Sequence, residues 1–326
     1  MRLGDSGIYF IVTGRQNGKL LHSCFDSLLA QSSSHWHCIY VDDASTDESL
    51  EVASRHASRW PDFFTVLTNQ VRKYKAVNFI RACQLIPPWG IVAELDADDR
   101  LVGQKVVDDL TVLHTFFDIV WTQHSTVNES GLSWDTWQST PLPHDWSREN
   151  ASGTAVWTKE FFPGHLRSFK RFLFDYINHA IFFYQQKPLK VAFDMVYYTS
   201  LLELVPGDLA CFYNQICYEY HILAHNDEFT EKALIASGQY QKMAEFCQTA
   251  VDYWFKQQPR LRKLFYEKRV ANFSSRGGLE TAFVGDIIAP AIRDYRWKLS
   301  PLALKRLKHM LPKCSMASQR YWWGKI

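Results

Sequence analysis

Apolar positions along the first 125 residues alternate between two spacings, one typical of buried strands and the other of amphipathic helices. Short β-rich runs at residues 8–13, 38–41, 63–67 and 91–95 predict four strands, and 117–121 a fifth. Between them, residues 19–31 carry helical spacing at Leu20, Leu21, Cys24, Leu28 and Leu29, and 75–85 predicts a second such helix. Ser45-Thr46-Asp47-Glu48 fits a capping box opening a helix that runs to about Trp60, and Pro87-Pro88-Trp89-Gly90 reads as a turn. Strands alternating with crossover helices predict an α/β fold with a mostly parallel sheet covered on both faces.

The pattern then changes. Residues 122–160 are rich in Trp, Ser, Asn and Pro without clear periodicity, and read as a long loop region over a site. Residues 161–225 return to apolar helical patterns, 231–266 read as helix, and Ser300-Pro301 precedes a basic amphipathic stretch. The chain therefore divides at about residues 110 and 230.

Chemistry concentrates where strands end. In open α/β sheets ligands bind beyond the carboxyl ends of the strands. Asp42-Asp43 and Asp96-Ala97-Asp98-Asp99 both fall at such ends. Carboxylates this close repel one another unless a cation or ordered donors neutralise them. Hard divalent ions such as Mn2+ or Mg2+ select such oxygen ligands together with substrate phosphates. A solvated turn is the competing reading of either cluster alone, and their placement on one sheet edge favours the site.

Charge adds an asymmetry. Residues 1–230 hold 18 Lys/Arg against 27 Asp/Glu, a balance of −9, whereas 231–326 hold 18 against 7, a balance of +11. A basic final third suits an anionic membrane surface, with nucleic acid as the weaker alternative, or docking on the acidic body. Leu302, Leu304, Leu307, Met310 and Leu311 interleave with Lys305, Arg306, Lys308 and Lys313, a pattern shared by interfacial helices and packed terminal ones. Seven cysteines without a C-x-x-C pair fit reduced core thiols. With no signal peptide before Ile8 and no membrane-length apolar run, the expectation is a cytoplasmic protein, peripheral to the inner membrane face.

Ile11-Val12-Thr13, Ser27-Leu28-Leu29-Ala30-Gln31, Val41-Asp42-Asp43-Ala44-Ser45-Thr46-Asp47-Glu48-Ser49 and Leu95-Asp96-Ala97-Asp98-Asp99 occur in this order and spacing. Together they resemble family 2 glycosyltransferases of the GT-A fold, closely over residues 8–105. Asn69 and Asn78 stand where that family has a post-strand Asn and a helix-borne Asn, while Arg72-Lys73-Tyr74-Lys75 replaces its usual small or Gly residue. The resemblance implies an inverting, metal-dependent enzyme with a nucleotide-sugar donor, UDP-linked, and a glycan or lipid-linked saccharide acceptor. It makes 1–110 the nucleotide-sugar half, 111–230 the acceptor half and 231–326 a helical basic extension. Asp42 or Asp43 would read the base, with Thr13, Arg15 and Asn78 beside the nucleotide. Asp98 would bind the metal, with Asp96 on the ribose or the metal's water shell and Asp99 toward the sugar. Arg72 and Lys75 would assist the phosphates, solvation being the alternative for each, and His221 and His225 are candidates to complete the metal shell.

An inverting transfer needs a base for the acceptor hydroxyl. Asp194 lies in the apolar run Ala192-Phe193-Asp194-Met195-Val196, a setting that raises a carboxyl pKa toward base-competent values. A helix N-cap or an ion pair with Arg167 explains it equally well. His165, Arg167, Trp134, Trp137 and Trp146 are the acceptor candidates, with core packing the competing reading of the tryptophans. Transfer to modified bases in DNA and a non-catalytic carbohydrate-binding relative are the alternatives. Gly14 and Gly18 do not form G-x-G-x-x-G, which ranks a dinucleotide dehydrogenase low.

Overall fold

The computed structural model describes residues 7–128, 139–141, 163–177, 179–184, 186–189, 193–205 and 209–222. The chain begins β1 (Ile8–Gly14), α1 (Gly18–Leu29), β2 (Trp36–Asp42), α2 (Ser49–Arg59), β3 (Phe64–Thr68), α3 (Tyr74–Leu85) and β4 (Ile91–Asp96). It continues through β5 (Arg100–Leu101), α4 (Val106–Phe116), β6 (Ile119–Asn128) and β7 (Arg167–Lys170). Two 3-10 segments and the small hairpin of β8 (Phe183–Tyr184) and β9 (Lys187–Pro188) precede α5 (Phe193–Leu204) and β10 (Ala210–Ile222).

Eight strands form one sheet in the order β3-β2-β1-β4-β7-β6-β10-β5. The first four are parallel, β7 runs antiparallel between β4 and β6, and β10 is parallel to β6. The mostly parallel sheet expected from the alternation is present.

Strand alternation divides the core in two. Ile8, Phe10, Val12, Ala93 and Leu95 pack with α1 and α4 on one face. Tyr9, Ile11 and Val92 pack with α3 and α5 on the other, and Glu94 shares that second face by strand parity.

Three local expectations need correction. The helix after β2 starts at Ser49, and Glu48 makes no side-chain cap there. Asp47 does the capping instead: it accepts from the amide of Ser49, the first residue of α2, at 3.1 Å and from that of Gly18, the first of α1, at 3.0 Å. Burial opposes the charge of Asp47, but bonds from Ser49 and Gly18 outweigh it and hold the carboxyl below its usual range. β6 extends to Asn128, past the point where regular structure was expected to end. Finally, the described residues of 161–225 are not mainly helical: β7 and β10 enter the sheet, the first too short and polar to show a period and the second interrupted by register shifts around Ile216.

β10 is irregular. While β6 passes from Thr122 to His124, β10 passes from Tyr213 to Tyr218, with register shifts on either side of Ile216.

Candidate active site

The carboxyl ends of three parallel strands meet at one edge. Gly14 is in register with Asp42, and Thr13 with Asp96. A Cβ on Gly14 would lie 2.5 Å from Ala97 Cβ, so glycine is what lets the acidic turn fold against β1. Thr13 is half-buried between these ends and Arg15 is exposed just beyond them.

Asp42 and Asp43 are both buried. Asp42 accepts from the Ser45 amide at 3.0 Å and from Tyr40 Oη at 3.3 Å. Asp43 braces the β3–α3 loop: its oxygens accept from Asn69 Nδ2 (2.9 Å) and from the amides of Lys73 (2.7 Å) and Tyr74 (2.9 Å). Tyr74 has φ 66°, a left-handed conformation that favours glycine, and the two amide bonds to Asp43 hold it there. Asp43 therefore offsets the missing small residue, capping α3 rather than the helix that follows it in sequence. Asn78 is buried and accepts from Asn69 Nδ2 at 2.7 Å, a bond that ties α3 to this loop. Arg72 stacks over the Tyr74 ring at 4.7 Å.

The acidic turn splits into two functions. Asp98 is half-buried, and burial followed by the charges of Asp99 and Asp96 pushes its carboxyl up to about 8. Burial likewise raises Asp96, to about 6, against the opposing ammonium of Lys75 2.6 Å away. Asp99 faces the other way, corrected from the direction of a sugar: it accepts from Tyr218 Oη at 2.6 Å and from the His221 amide at 2.7 Å. His221 lies in strand β10, not a helix, with Nδ1 3.7 Å from Asp99 and Nε2 3.3 Å from Glu219. Both ring nitrogens thus face carboxylates, and its pKa is raised, by the Asp99 bond first. Among the described residues no three His, Cys, Asp or Glu side chains gather into a metal-holding cluster. Asp98, with Asp96 beside it, is the oxygen-donor pair at the mouth. Such a pair fits a hard cation that takes its remaining oxygens from a diphosphate and water.

On the other side stands Asp194, in the first turn of α5. Of the explanations open for its surround, the ion pair is present: Arg167 Nη1 lies 2.7 Å from its Oδ2. Arg167 is fully buried and also pairs with Glu94. His165 is buried too, stacked on Tyr218 and Tyr220 at 4.7 and 5.2 Å. Burial, and then the charge of Arg167, keeps its pKa well below the usual histidine value. His225, Trp134, Trp137 and Trp146 lie outside the described residues, as does the basic extension.

Two contributors escape a reading by motif. Glu94 joins Lys75 and Arg167 beneath the strand ends, at 2.7 and 3.1 Å. A glutamate inside an apolar strand was the available signal, since buried carboxylates require partners. Lys75 was weighed as a phosphate contact or a solvated side chain, yet its ammonium bridges Glu94 and Asp96.

A mostly parallel sheet flanked by helices, with carboxylates grouped at its strand ends, is an α/β architecture of the GT-A type. The model of the glycosyl transferase family 2 matches residues 9–177, and the chain belongs to that family. The putative glycosyltransferase EpsE of Bacillus subtilis is 27% identical over 116 residues, which are 35% of this chain and 41% of that protein. This chain thus spans less than half the length of that relative. S. aureus TarS 1-349 in complex with UDP-GlcNAc is similar in fold, with a TM-score of 0.54 at 16% identity, covering 98% of this chain and 92% of that one. The same protein in complex with UDP gives 0.52 at 15% identity.

Proposed function

We propose that this chain is an inverting glycosyltransferase that moves a sugar from a UDP-linked donor to a saccharide or lipid-linked saccharide, with Mn2+ or Mg2+ at Asp98. The observation that carries this reading is the register of Thr13, Gly14, Asp42 and Asp96 along one sheet edge, with Asp98 two residues on. The UDP-GlcNAc complex of the similarly folded TarS supports the choice of donor.

In this reading Asp42, at the end of β2, lies nearest the base, while Thr13 and Arg15 flank the nucleotide. Asp96 faces the ribose and Asp98 the diphosphate. The metal, when bound, stabilises the negative charge that grows on the departing nucleoside diphosphate. Asp194 takes the proton of the acceptor hydroxyl as its oxygen attacks the anomeric carbon. The bond from that carbon to the diphosphate oxygen breaks, its electron pair leaves with UDP, and the configuration inverts. His221 has Nε2 3.3 Å from Glu219 and Nδ1 3.7 Å from Asp99, and in this reading it is the candidate to complete the shell at Asp98.

A thermal-shift screen of nucleotide sugars with and without Mn2+ tests the reading, because a specific ligand raises apparent stability by mass action. A shift with UDP-sugars that depends on Mn2+ and disappears in Asp98→Asn is the expected result. Equal shifts in the variant defeat the metal assignment.

A further inference from the structure

A continuous ion chain runs beneath the strand ends. Lys75 Nζ lies 2.6 Å from Asp96 Oδ1 and 2.7 Å from Glu94 Oε1. The other oxygen of Glu94 is 3.1 Å from Arg167 Nε and accepts the Tyr197 hydroxyl. Arg167 Nη1 then lies 2.7 Å from Asp194 Oδ2. Signs alternate at every link, and four elements contribute: β4, α3, β7 and α5.

The sequence explains how the chain assembles. Positions 94 and 96 share a strand face, so one ammonium from the first turn of α3 reaches both. Glu94 and Arg167 are direct partners across the β4–β7 ladder. The middle of the chain is sealed, with Arg167 and Glu94 side chains at 0% and 2% exposure, while the ends at Asp96 and Asp194 open to 21% and 28%.

Burying so many charges is no efficient route to stability, since well-packed apolar residues commonly serve as well. What an ion chain provides is fixed relative placement. We propose that Glu94 is a positioning residue for sugar transfer, holding Asp96 through Lys75 and Asp194 through Arg167 in one rigid frame. The inference rests on the reading that gives Asp96 to the donor and Asp194 to the acceptor. It deepens that reading by joining the two sides through a residue that touches neither substrate. Small displacements matter here, because an error of about 1 Å in a reacting group can cost on the order of a hundredfold in rate.

The test uses the full chain, UDP-GlcNAc with Mn2+ as the probe and water as acceptor, with turnover normalised to UDP-binding sites. Glu94→Gln keeps the size of the side chain but sets an amide against Arg167 and Tyr197. Its normalised kcat should fall about tenfold or more while KM for UDP-GlcNAc stays within about twofold, the split of an interaction needed in the transition state. Tyr197→Phe leaves every charge in place and should lower kcat several-fold with the same constant KM, and it decides the matter where Glu94→Gln fails to fold. Unchanged normalised kcat in the folded variants, or a rise in KM alone, overturns the proposal.

A wild-type chain that neither binds UDP nor turns over the probe overturns the donor reading instead. Thermal midpoints then judge the frame. Asp96→Asn and Asp194→Asn should shift the midpoint non-additively in the wild type and additively beside Glu94→Gln. Additivity in both backgrounds overturns the frame.

Discussion

Asp99 and His221 are joined through the backbone: the carboxylate Oδ1 accepts from the His221 amide at 2.7 Å and thereby fastens β10 to the turn after β4. Tyr218 strengthens the joint, donating its hydroxyl to Asp99 Oδ2 and accepting from the Asp96 amide at 3.1 Å. One acidic residue of the turn is therefore structural, and the other two stand at the mouth.

Asp99→Ala should consequently unfold more readily, by about 2–4 kcal/mol, because the Tyr218 hydroxyl and the His221 amide both lose a charged partner. Urea denaturation measures the loss. A change below about 0.5 kcal/mol would contradict the structural role, being the ordinary cost of a surface substitution.

Asp98→Asn should behave in the opposite way. Removing one of three crowded carboxylates relieves repulsion from Asp96 and Asp99, so the thermal midpoint should hold or rise while Mn2+-dependent turnover of a UDP-sugar is lost. Calorimetry and a UDP-release assay on the same preparation check both halves. A marked drop in midpoint would place Asp98 among the structural residues.

Acid should weaken the fold through buried histidine. His114 is lodged between the Phe117 carbonyl at 3.3 Å and Ser168 Oγ at 2.9 Å, and burial holds its pKa down at about 3. The unfolded chain protonates this ring near pH 6.5 while the folded one does not, so its contribution is complete above about 6.5 and lost as pH falls toward 3. The slope approaches about 1.4 kcal/mol per pH unit. Urea midpoints between pH 4 and 7 for wild type and His114→Gln isolate the effect from the acidic turn, whose raised carboxyls act in the opposite sense. Parallel profiles would refute it.

Gly14→Ala should strike both the fold and the mouth. Its methyl would come within 2.5 Å of Ala97 and 2.9 Å of Asn17 Oδ1, forcing β1 and the acidic turn apart. A stability loss of about 1–3 kcal/mol is expected from this overpacking, with weaker UDP binding by titration. Undiminished binding would mean that the two strand ends do not act together.

Strands β1 to β4 and β6 and helices α1 to α3 were legible because parallel strands and crossover helices differ in period and in length, whereas β5 and α4 were not read. The boundaries of α2 were less so, since Asp47 caps two helices that are distant in sequence, a relation no local box can display. β7 was hidden because it is only four residues long and three of them, Arg167, Ser168 and Lys170, are polar, and β10 because Asn214-Gln215 and the register shifts around Ile216 break its alternation. In the site, Asp96 and Asp98 stood out as a cluster. Glu94 was concealed by its apolar neighbours, and the pairing of Arg167 with Asp194 stood as one of two open explanations until β7 set the arginine beside β4.

The uneven pairing of β10 with β6 carries a consequence for how this family member can vary. Between Thr122 and His124 on one strand, and Tyr213 and Tyr218 on the other, β10 holds an odd number of surplus residues. Faces are assigned by parity, so this surplus is what turns Tyr218 toward Asp99 and Glu219 toward Arg100. Loss or gain of a single residue near Ile216 would invert every side chain beyond it, exchanging the partners of the acidic turn for their neighbours. Point substitutions at the exposed Ile216 should pass almost unnoticed, whereas a one-residue length change at the same place should not.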